Sequence, residues 1–508
     1  MRLFYLIYND FSPFLWYNIY KPKTKTHKNG EKIMRKKFVQ ISLADIYNDI
    51  SFSIQEQKPE LLALLDEYID FDSFISDDFF HAFYKRFGRK HTYHLDSFIR
   101  ALVIQKLFGF TFDKQLILVL KCSKEIRDFC MFDKVPDASY FTRFKQQFSD
   151  YIADMFERLV DITEPICREI DSKKSDYLIF DTTGIEPFVA ENNPKFFNTK
   201  LQTAKKLSKS NPNYNPYLAV YGLLPDTAAS NANIKQQYIN GHYCYAYKAG
   251  IVTNGLGIVR NITFFDNDFK KQHPEIVSHK TDNPNIDKEI SDSSALKPVL
   301  RDFFKSHSNF TYSTFLGDAA FDSYDNYSML KNDFHFNRVC IPLNLRNSKK
   351  ANTSFDEFGT PICPIDKTPF TFLGKSGGKN RSARFKWVCH KSKPCGTSRI
   401  CTCETPCTES SYGKCTYTYP DKDFRLYPGI PRNTEHWERL YNVRVVIERT
   451  INLFKDTFGV ASLKTQNETT IKTDLYLAGI TQLIGVILAK ELQKPKLYKS
   501  VRKLISAL

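Results

Sequence analysis

The chain has 508 residues, too many for one compact core, so two or three domains are expected. Its 42% hydrophobic content is ordinary for a globular protein. A net charge of +16 and a pI near 9.1 favour a polyanionic partner, nucleic acid or an anionic membrane; a basic protein with no such partner is the alternative. A membrane span is not expected. The N-terminal run Leu3–Tyr8 stops at Asn9 and Asp10, too soon for a signal segment. The apolar run Leu475–Ala489 holds Thr481 and Gln482 and falls short of the ~20 residues a span requires, so it reads as a buried core helix. Twelve cysteines without a signal segment imply a reducing cytoplasm and no disulfides.

Residues 1–33 carry Pro13, Pro22 and the lysine-rich KPKTKTHKNGEK, and differ in character from the chain after Met34. Either Met34 is the true start, or this extension is a basic DNA-contacting arm. Residues 34–172 read as a helical domain. Leu61–Tyr68 and Phe98–Leu107 are apolar at helical spacing, and Gly109 stops the second. Asp113–Lys121 is a further helix. In Val135–Phe148, Pro136 precedes a helix with Asp137 as a plausible N-cap, and Arg143 and Lys145 are exposed candidates for DNA contact. A plain helical bundle is the alternative.

Tyr177–Phe180 is a short apolar run ended by Asp181, Thr182, Thr183 and Gly184, the pattern of a buried strand leading into a turn. Pro187–Tyr238 is polar and basic, with Lys200, Lys205, Lys206 and Lys209, and reads as long loops. Tyr245–Thr253 and Ile258–Phe265 flank Asn254-Gly255, a strong hairpin signal. Asp266–Ser294 reads as loop and Ala295–Lys305 as helix. Phe310–Leu316 leads through Gly317 to Asp318, with a helix starting at Ala319–Phe321 and Asp322 one turn on. Asn337–Leu343 is another strand. Residues 345–430 form a basic insertion with Cys363, Cys389, Cys395, Cys401, Cys403, Cys407 and Cys415. Zinc prefers four thiolate or imidazole ligands at short spacings. Cys389, Cys395, Cys401, Cys403 and Cys407 are therefore candidate zinc ligands. No clean paired motif selects among them, and free reduced cysteines are the alternative.

The stretch Tyr441–Lys455, YNVRVVIERTINLFK, has no Gly or Pro and places Val443, Val446, Ile447, Ile451 and Phe454 at helical steps. At about 100° per residue, Tyr441, Arg444, Glu448 and Lys455 project within roughly 60° of one another. On these residues alone, a solvated i,i+4 ion pair between Arg444 and Glu448 is the plain reading.

The spacing Tyr441, Arg444, Glu448, Lys455 matches the Y-R-E-K signature of bacterial insertion-sequence transposases of the DDE type. The lead-in PRNTEHWERLYNVR and the segment GDAAF at Gly317–Phe321 also resemble that family, over about residues 87–486. The resemblance implies an α/β fold: a helical N-terminal DNA-binding and dimer domain (34–172), then a ribonuclease-H-like mixed sheet flanked by helices (173–344). The Cys-rich insertion (345–430) and the C-terminal helices of the core (431–508) come next, the latter carrying the catalytic Glu.

It implies that Asp181, Asp318 and Glu448 are the catalytic and metal-binding residues, holding two Mg²⁺ or Mn²⁺ ions, for which carboxylate oxygens are suited ligands. Tyr441, Arg444 and Lys455 would contact DNA. The activity implied is cut-and-paste transposition. The protein would bind terminal inverted repeats, cleave the ends and join the 3′ hydroxyls to target DNA, as a homodimer in the bacterial cytoplasm at the nucleoid and with no membrane partner. The alternatives are a catalytically silent, transposase-derived DNA-binding protein and a repair nuclease of related fold.

Overall fold

Tyr177–Ile185 (β1) is the strand from which the other elements take their places. The computed structural model describes residues 61–85, 91–208, 216–239, 242–277, 290–344, 354–378, 381–420, 422–425 and 430–499. The expectations for residues 1–33, Met34 and Lys209 lie outside these. Residues from Glu60 onward form one compact unit.

Ahead of the sheet come helices α1 (Leu95–Leu107), α2 (Asp113–Cys122), α3 (Ala138–Gln147) and α4 (Ser149–Ile170), with residues 61–68 also helical. The helical N-terminal region is thus as expected. Asp137 is the N-cap residue of α3 by position, but its side chain makes no capping bond. The central sheet runs β2 (Thr227–Ala228), β3 (Asn231–Ile239), β4 (His242–Asn254), β1, β6 (Thr314–Leu316), β7 (Arg338–Cys340), with β5 (Val259–Phe264) also on β4. β1 is antiparallel to β4 and parallel to β6, and β6 is parallel to β7. The fold is mixed α/β and broadly ribonuclease-H-like.

Alternation along β1 sends Leu178 and Phe180 into a core shared with helix α5 (Asp292–Ser306), including Leu296, Val299 and Phe303. The opposite face of the sheet receives the C-terminal helices: α6 (Glu435–Tyr441), α7 (Val445–Asn452) and α8 (Glu468–Glu491). Helix α8 is the expected core helix, packed against α1, α3, α4 and β5. Its odd polar residue has a purpose. Gln482 Nε2 donates to Gly257 O at 2.9 Å, and Gln482 Oε1 accepts from Val259 N at 3.0 Å, so the β4–β5 hairpin end is satisfied from inside the core. The hairpin itself is as expected. Asn254 Oδ1 accepts from Leu256 N and Ile258 N, while Gly257, at φ +78°, takes the left-handed position.

Four expectations are corrected. Asp181 does not end its strand: β1 continues to Ile185, because Thr182, Thr183 and Ile185 suit a pleated strand and the 13-residue β4 supplies partners for all of it. The segment read as long loops after Pro187 holds helices Pro194–Ser208 and Pro216–Leu223 and strands β2 and β3. Asn193-Pro194 is a helix-start signal there, with Asn193 Oδ1 accepting from Lys195 N at 3.0 Å. Lys145 is not an exposed DNA contact. Its ammonium is buried, 2.8 Å from Asp113 Oδ1 and 3.1 Å from Asp474 Oδ1 on α8. Lys106 Nζ lies 2.6 Å from the same Asp474 oxygen, though not aligned as a hydrogen bond. Arg143 is exposed, with its guanidinium over the Tyr140 ring. The loop read at Asp266–Ser294 also contains a short helix, Asn267–Gln272, and the start of α5.

His307, just past α5, is clamped to α4. Its Nε2 lies 2.6 Å from Glu157 Oε2 and its Nδ1 2.7 Å from Asp161 Oδ1. Burial opposes charging this ring, but hydrogen bonds and charge from Glu157 and Asp161 outweigh it, so the pKa is raised above 6.5. The stabilisation is therefore complete below the unfolded-state value and lost as pH rises through the folded one. His307→Gln is expected to lower the melting temperature clearly at pH 6 and much less at pH 10. An equal loss at both would show that the charged clamp contributes nothing.

After β7 the Cys-rich segment forms a three-stranded sheet of β8 (Thr371–Gly378), β9 (Arg381–Val388) and β12 (Cys415–Thr418). A hairpin of β10 (Ser392–Cys395) and β11 (Ser398–Cys401) adjoins it. Its chain end is anchored in the core: Arg425 Nη2 donates to Asp322 Oδ2 at 2.8 Å and to Asn344 O at 3.0 Å. Asp322, fully buried, is thus a structural anchor.

Candidate active site

Parallel pairing of β1 with β6 matches Ile179 to Leu316. Asp181 stands two residues further along β1, and Asp318 two residues past Leu316, just beyond the end of β6, so the parallel pairing brings both carboxylates to the place where β6 ends beside β1. The chain turns sharply after β6 because Gly317 has no side chain: a β-carbon there would lie 3.0 Å from the Phe315 and Phe321 rings. Asp318 then caps the 3-10 turn Ala319–Phe321, its Oδ1 accepting from Ala320 N at 2.8 Å. Asp181 accepts from Thr182 N at 2.8 Å. Burial, and next the charge of Asp318, push the Asp181 carboxyl up to about 7, against the opposing pull of the Thr182 N–H and Arg444.

The opposite wall is the helical stretch first read as one regular helix. It is helical throughout but changes pitch twice. Between α6 and α7 lies a 3-10 turn, Asn442–Arg444, and after α7 a π turn, Leu453–Thr457. Helix α7 is seated on the hairpin end, where Thr450 Oγ1 donates to Gly257 O at 2.6 Å. Arg444 projects between two carboxylates: its Nη1 is 3.6 Å from Asp181 Oδ2, and its Nη2 donates to Glu448 Oε1. The guanidinium also lies 5.9 Å from the Tyr441 ring centroid, and Trp437 stacks on that ring at 4.7 Å. Burial raises the Tyr441 phenol's pKa, as do the charges of Asp318 and Glu448, while Arg444 lowers it.

Asp181, Asp318, Tyr441, Arg444 and Glu448 therefore share one neighbourhood. Lys455 does not join them. It sits in the π turn, whose i→i+5 bonding shifts the helix phase. The charged and titratable groups beside it include Glu186, just beyond β1, and Cys244, with Asp456 next to it in the turn. Burial lowers its pKa despite them. The expectation of one four-residue face is corrected to a three-residue face plus an outlying lysine.

Asp181 and Asp318 offer hard oxygen donors that suit Mg²⁺ or Mn²⁺. Their mutual repulsion is the kind a bound cation relieves. Glu448 fits less directly, because Arg444 stands between it and Asp181. Among the described residues no group of three or more His, Cys, Asp or Glu side chains is arranged to hold a metal ion. The cysteines expected as zinc ligands form no disulfide: Cys389 is buried, Cys401, Cys403 and Cys407 are half-buried, and Cys395 is exposed.

Sequence reading missed Asp292. It accepts from Thr182 Oγ1, pairs with Lys248, and adds to the negative field on Asp181. Ser291 ahead of Asp292-Ser-Ser and an apolar run is a helix-start signature that could have drawn it out of the supposed loop.

Comparison with curated proteins finds no match to this chain. The cryo-EM structure of the piggyBac transposase synaptic complex with hairpin DNA is similar at 13% identity and a TM-score of 0.27. It spans 86% of this chain and 84% of that one, a likeness too loose to bear on the site. Residues 51–147, which include α1, α2 and α3, match the family described as Transposase domain (DUF772), so the chain carries a transposase-domain homology in its N-terminal helical region.

Proposed function

We propose that this chain is a DNA transposase of the DDE type, which cleaves DNA at the ends of its element and joins the 3′ hydroxyls to target DNA. The observation that carries the reading is the approach of Asp318, just past β6, to Asp181 on the adjoining β1, where its charge raises the Asp181 carboxyl, beside Arg444 and Glu448. The transposase-domain homology at residues 51–147 supports a transposase in general, from a separate part of the chain. Asp181, Asp318 and Glu448 would hold two divalent cations. Bound there, the cations would supply an activated oxygen nucleophile and neutralise the leaving oxygen. Arg444, released from Asp181 as cations bind, would hold a phosphate of the transposon end through its planar fork. Tyr441, kept a neutral phenol by its surroundings, would donate to the DNA backbone. Lys455, set apart, would contact a phosphate further along the strand. Two ends joined in concert call for a homodimer, and the setting is a bacterial cytoplasm. Affinity would fall steeply with salt, as phosphate contacts require.

Arg444 lying between Asp181 and Glu448 favours a second reading, a transposase-derived protein that binds DNA without cutting it. One assay separates the two. Full-length protein is incubated with DNA carrying the inverted repeats that flank its reading frame, with Mg²⁺ or with chelator. Mg²⁺-dependent nicks with 3′ hydroxyl ends are expected. Specific binding without any cutting would leave the silent reading standing.

A further inference from the structure

Seven of the twelve cysteines lie in the segment around β8–β12, which has little else to hold it together. Its core consists of Cys363, Phe370, Phe385, Trp387 and Cys389, with Phe355 and Phe372 partly buried against it. A core that small does not stabilise roughly 70 residues without a cross-link or a metal. Asp322 anchors both ends, through Asn344 N at 2.6 Å and Arg425 Nη2 at 2.8 Å, but these bonds lie outside the β8–β12 region itself.

Three turns, each bearing cysteine, meet beside that core. In the first, Cys363 N donates to Thr368 O at 2.8 Å and Lys367 N to Cys363 O at 3.1 Å, with Lys367 at φ +59°. The second is Cys389–Ser392, closed by Ser392 N donating to Cys389 O at 2.9 Å. These two face each other: Thr368 Oγ1 lies 2.7 Å from His390 Nδ1, and Lys391 Nζ 3.2 Å from Asp366 Oδ2. The third runs from Cys401 to Cys407. Thr402 N donates to Lys391 O at 3.0 Å, and Cys401 N to Ser411 O at 2.8 Å. Cys363 and Cys389 lie together in the small buried core, and Cys389 N donates to Lys414 O at 2.9 Å, which draws the stretch that follows Cys407 against it. Cys395 lies apart, exposed at the tip of the β10–β11 hairpin. The Cys403 sulfur is turned to Thr405 O at 3.2 Å and to Lys391 Nζ at 3.8 Å.

We propose that Cys363, Cys389, Cys401 and Cys407 bind one structural zinc ion that ties these three turns together. Cys363 supplies the ligand that spacing within the later cysteine run did not suggest. The four side chains are not a ready ligand group as they stand. Zinc entry is therefore coupled to rotation of the thiols and to release of their protons, up to four for a site of four thiolates. The site is independent of the transposase reading: a chain that holds zinc and cuts nothing, or cuts without zinc, distinguishes the two.

The test is the metal content of full-length protein, purified, supplied with zinc chloride and dialysed, then measured by inductively coupled plasma mass spectrometry. About one zinc per chain is expected. Cys363→Ser, Cys389→Ser, Cys401→Ser and Cys407→Ser should each lose most of it, and Cys395→Ser and Cys403→Ser should keep it. Cobalt(II) substitution guards against a variant that merely unfolds. The wild-type chain should give the thiolate-to-cobalt charge-transfer band and the visible bands of a tetrahedral site, and Cys395→Ser should give them unchanged. Zinc at background in the wild-type chain, or equal loss in Cys395→Ser and Cys363→Ser, overturns the proposal.

Discussion

Asp181→Asn is expected to abolish end cleavage and, at the same time, to make the protein harder to unfold. The cleavage loss should be at least about 10³-fold, some 4 kcal/mol of transition-state stabilisation, because an amide cannot replace an anionic ligand. Asp318→Asn and Glu448→Gln should lose cutting similarly, with end binding in a gel-shift assay retained in all three. The gain in stability comes from the raised pKa of Asp181, near 7 in the fold against an ordinary 3.8. Between those values the folded state holds a proton that the unfolded state has released. Folding stability therefore falls as pH rises from about 4 to about 7, and the full penalty persists above that. Asparagine carries no such penalty. At pH 8 the variant should exceed wild type in stability by on the order of 1 kcal/mol or more, and at pH 4 the difference should vanish. Chemical denaturation at the two pH values checks this. A variant that cuts normally would remove Asp181 from the site, and one that is less stable at pH 8 would make it a structural residue.

Asp474→Ala should be the most damaging substitution away from the site. Asp474 is almost fully buried and is the shared counter-ion of Lys106 and Lys145, both buried. Burial alone would favour its neutral form, yet the two ammonium groups hold its pKa below the ordinary value. Removing it deprives Lys106 of its close counter-ion and leaves Lys145 to Asp113, at a cost of about 3–5 kcal/mol. Urea unfolding measures it. The triple change Lys106→Met, Lys145→Met, Asp474→Leu, which removes all three charges, should recover most of the loss. If the single variant unfolds like wild type, the cluster is not held as described.

Much of this was legible in the residues. The Asn254-Gly255 hairpin, the run up to Gly317-Asp318, the helix read at Ala295–Lys305 and the core helix read at Leu475–Ala489 all carry local signals that tertiary packing reinforces, although both helices begin earlier than read, at Asp292 and Glu468. Asp181 was located but misplaced within its strand, because whether Thr182–Ile185 stays extended depends on β4, some 65 residues away. Lys145 looked exposed because the acid that buries it is 329 residues distant. Lys455 looked aligned with Glu448 because spacing alone assumes one pitch, and the π turn at Leu453–Thr457 departs from it. The meeting of Asp181, Arg444 and Glu448 is likewise a product of sheet register and of α7 resting on Gly257, neither of which periodicity reports.

The Lys145–Asp474 contact also bears on synthesis. The apolar faces of α1, α3 and α4 are completed by α8, which leaves the ribosome some 329 residues after Lys145. At ordinary elongation speeds of roughly 5–20 residues per second, that is about 15–65 seconds during which the early helices lack their last partner. A nascent chain of this kind is a client for chaperones, and a transcript truncated before residue 468 would yield a fragment prone to aggregate.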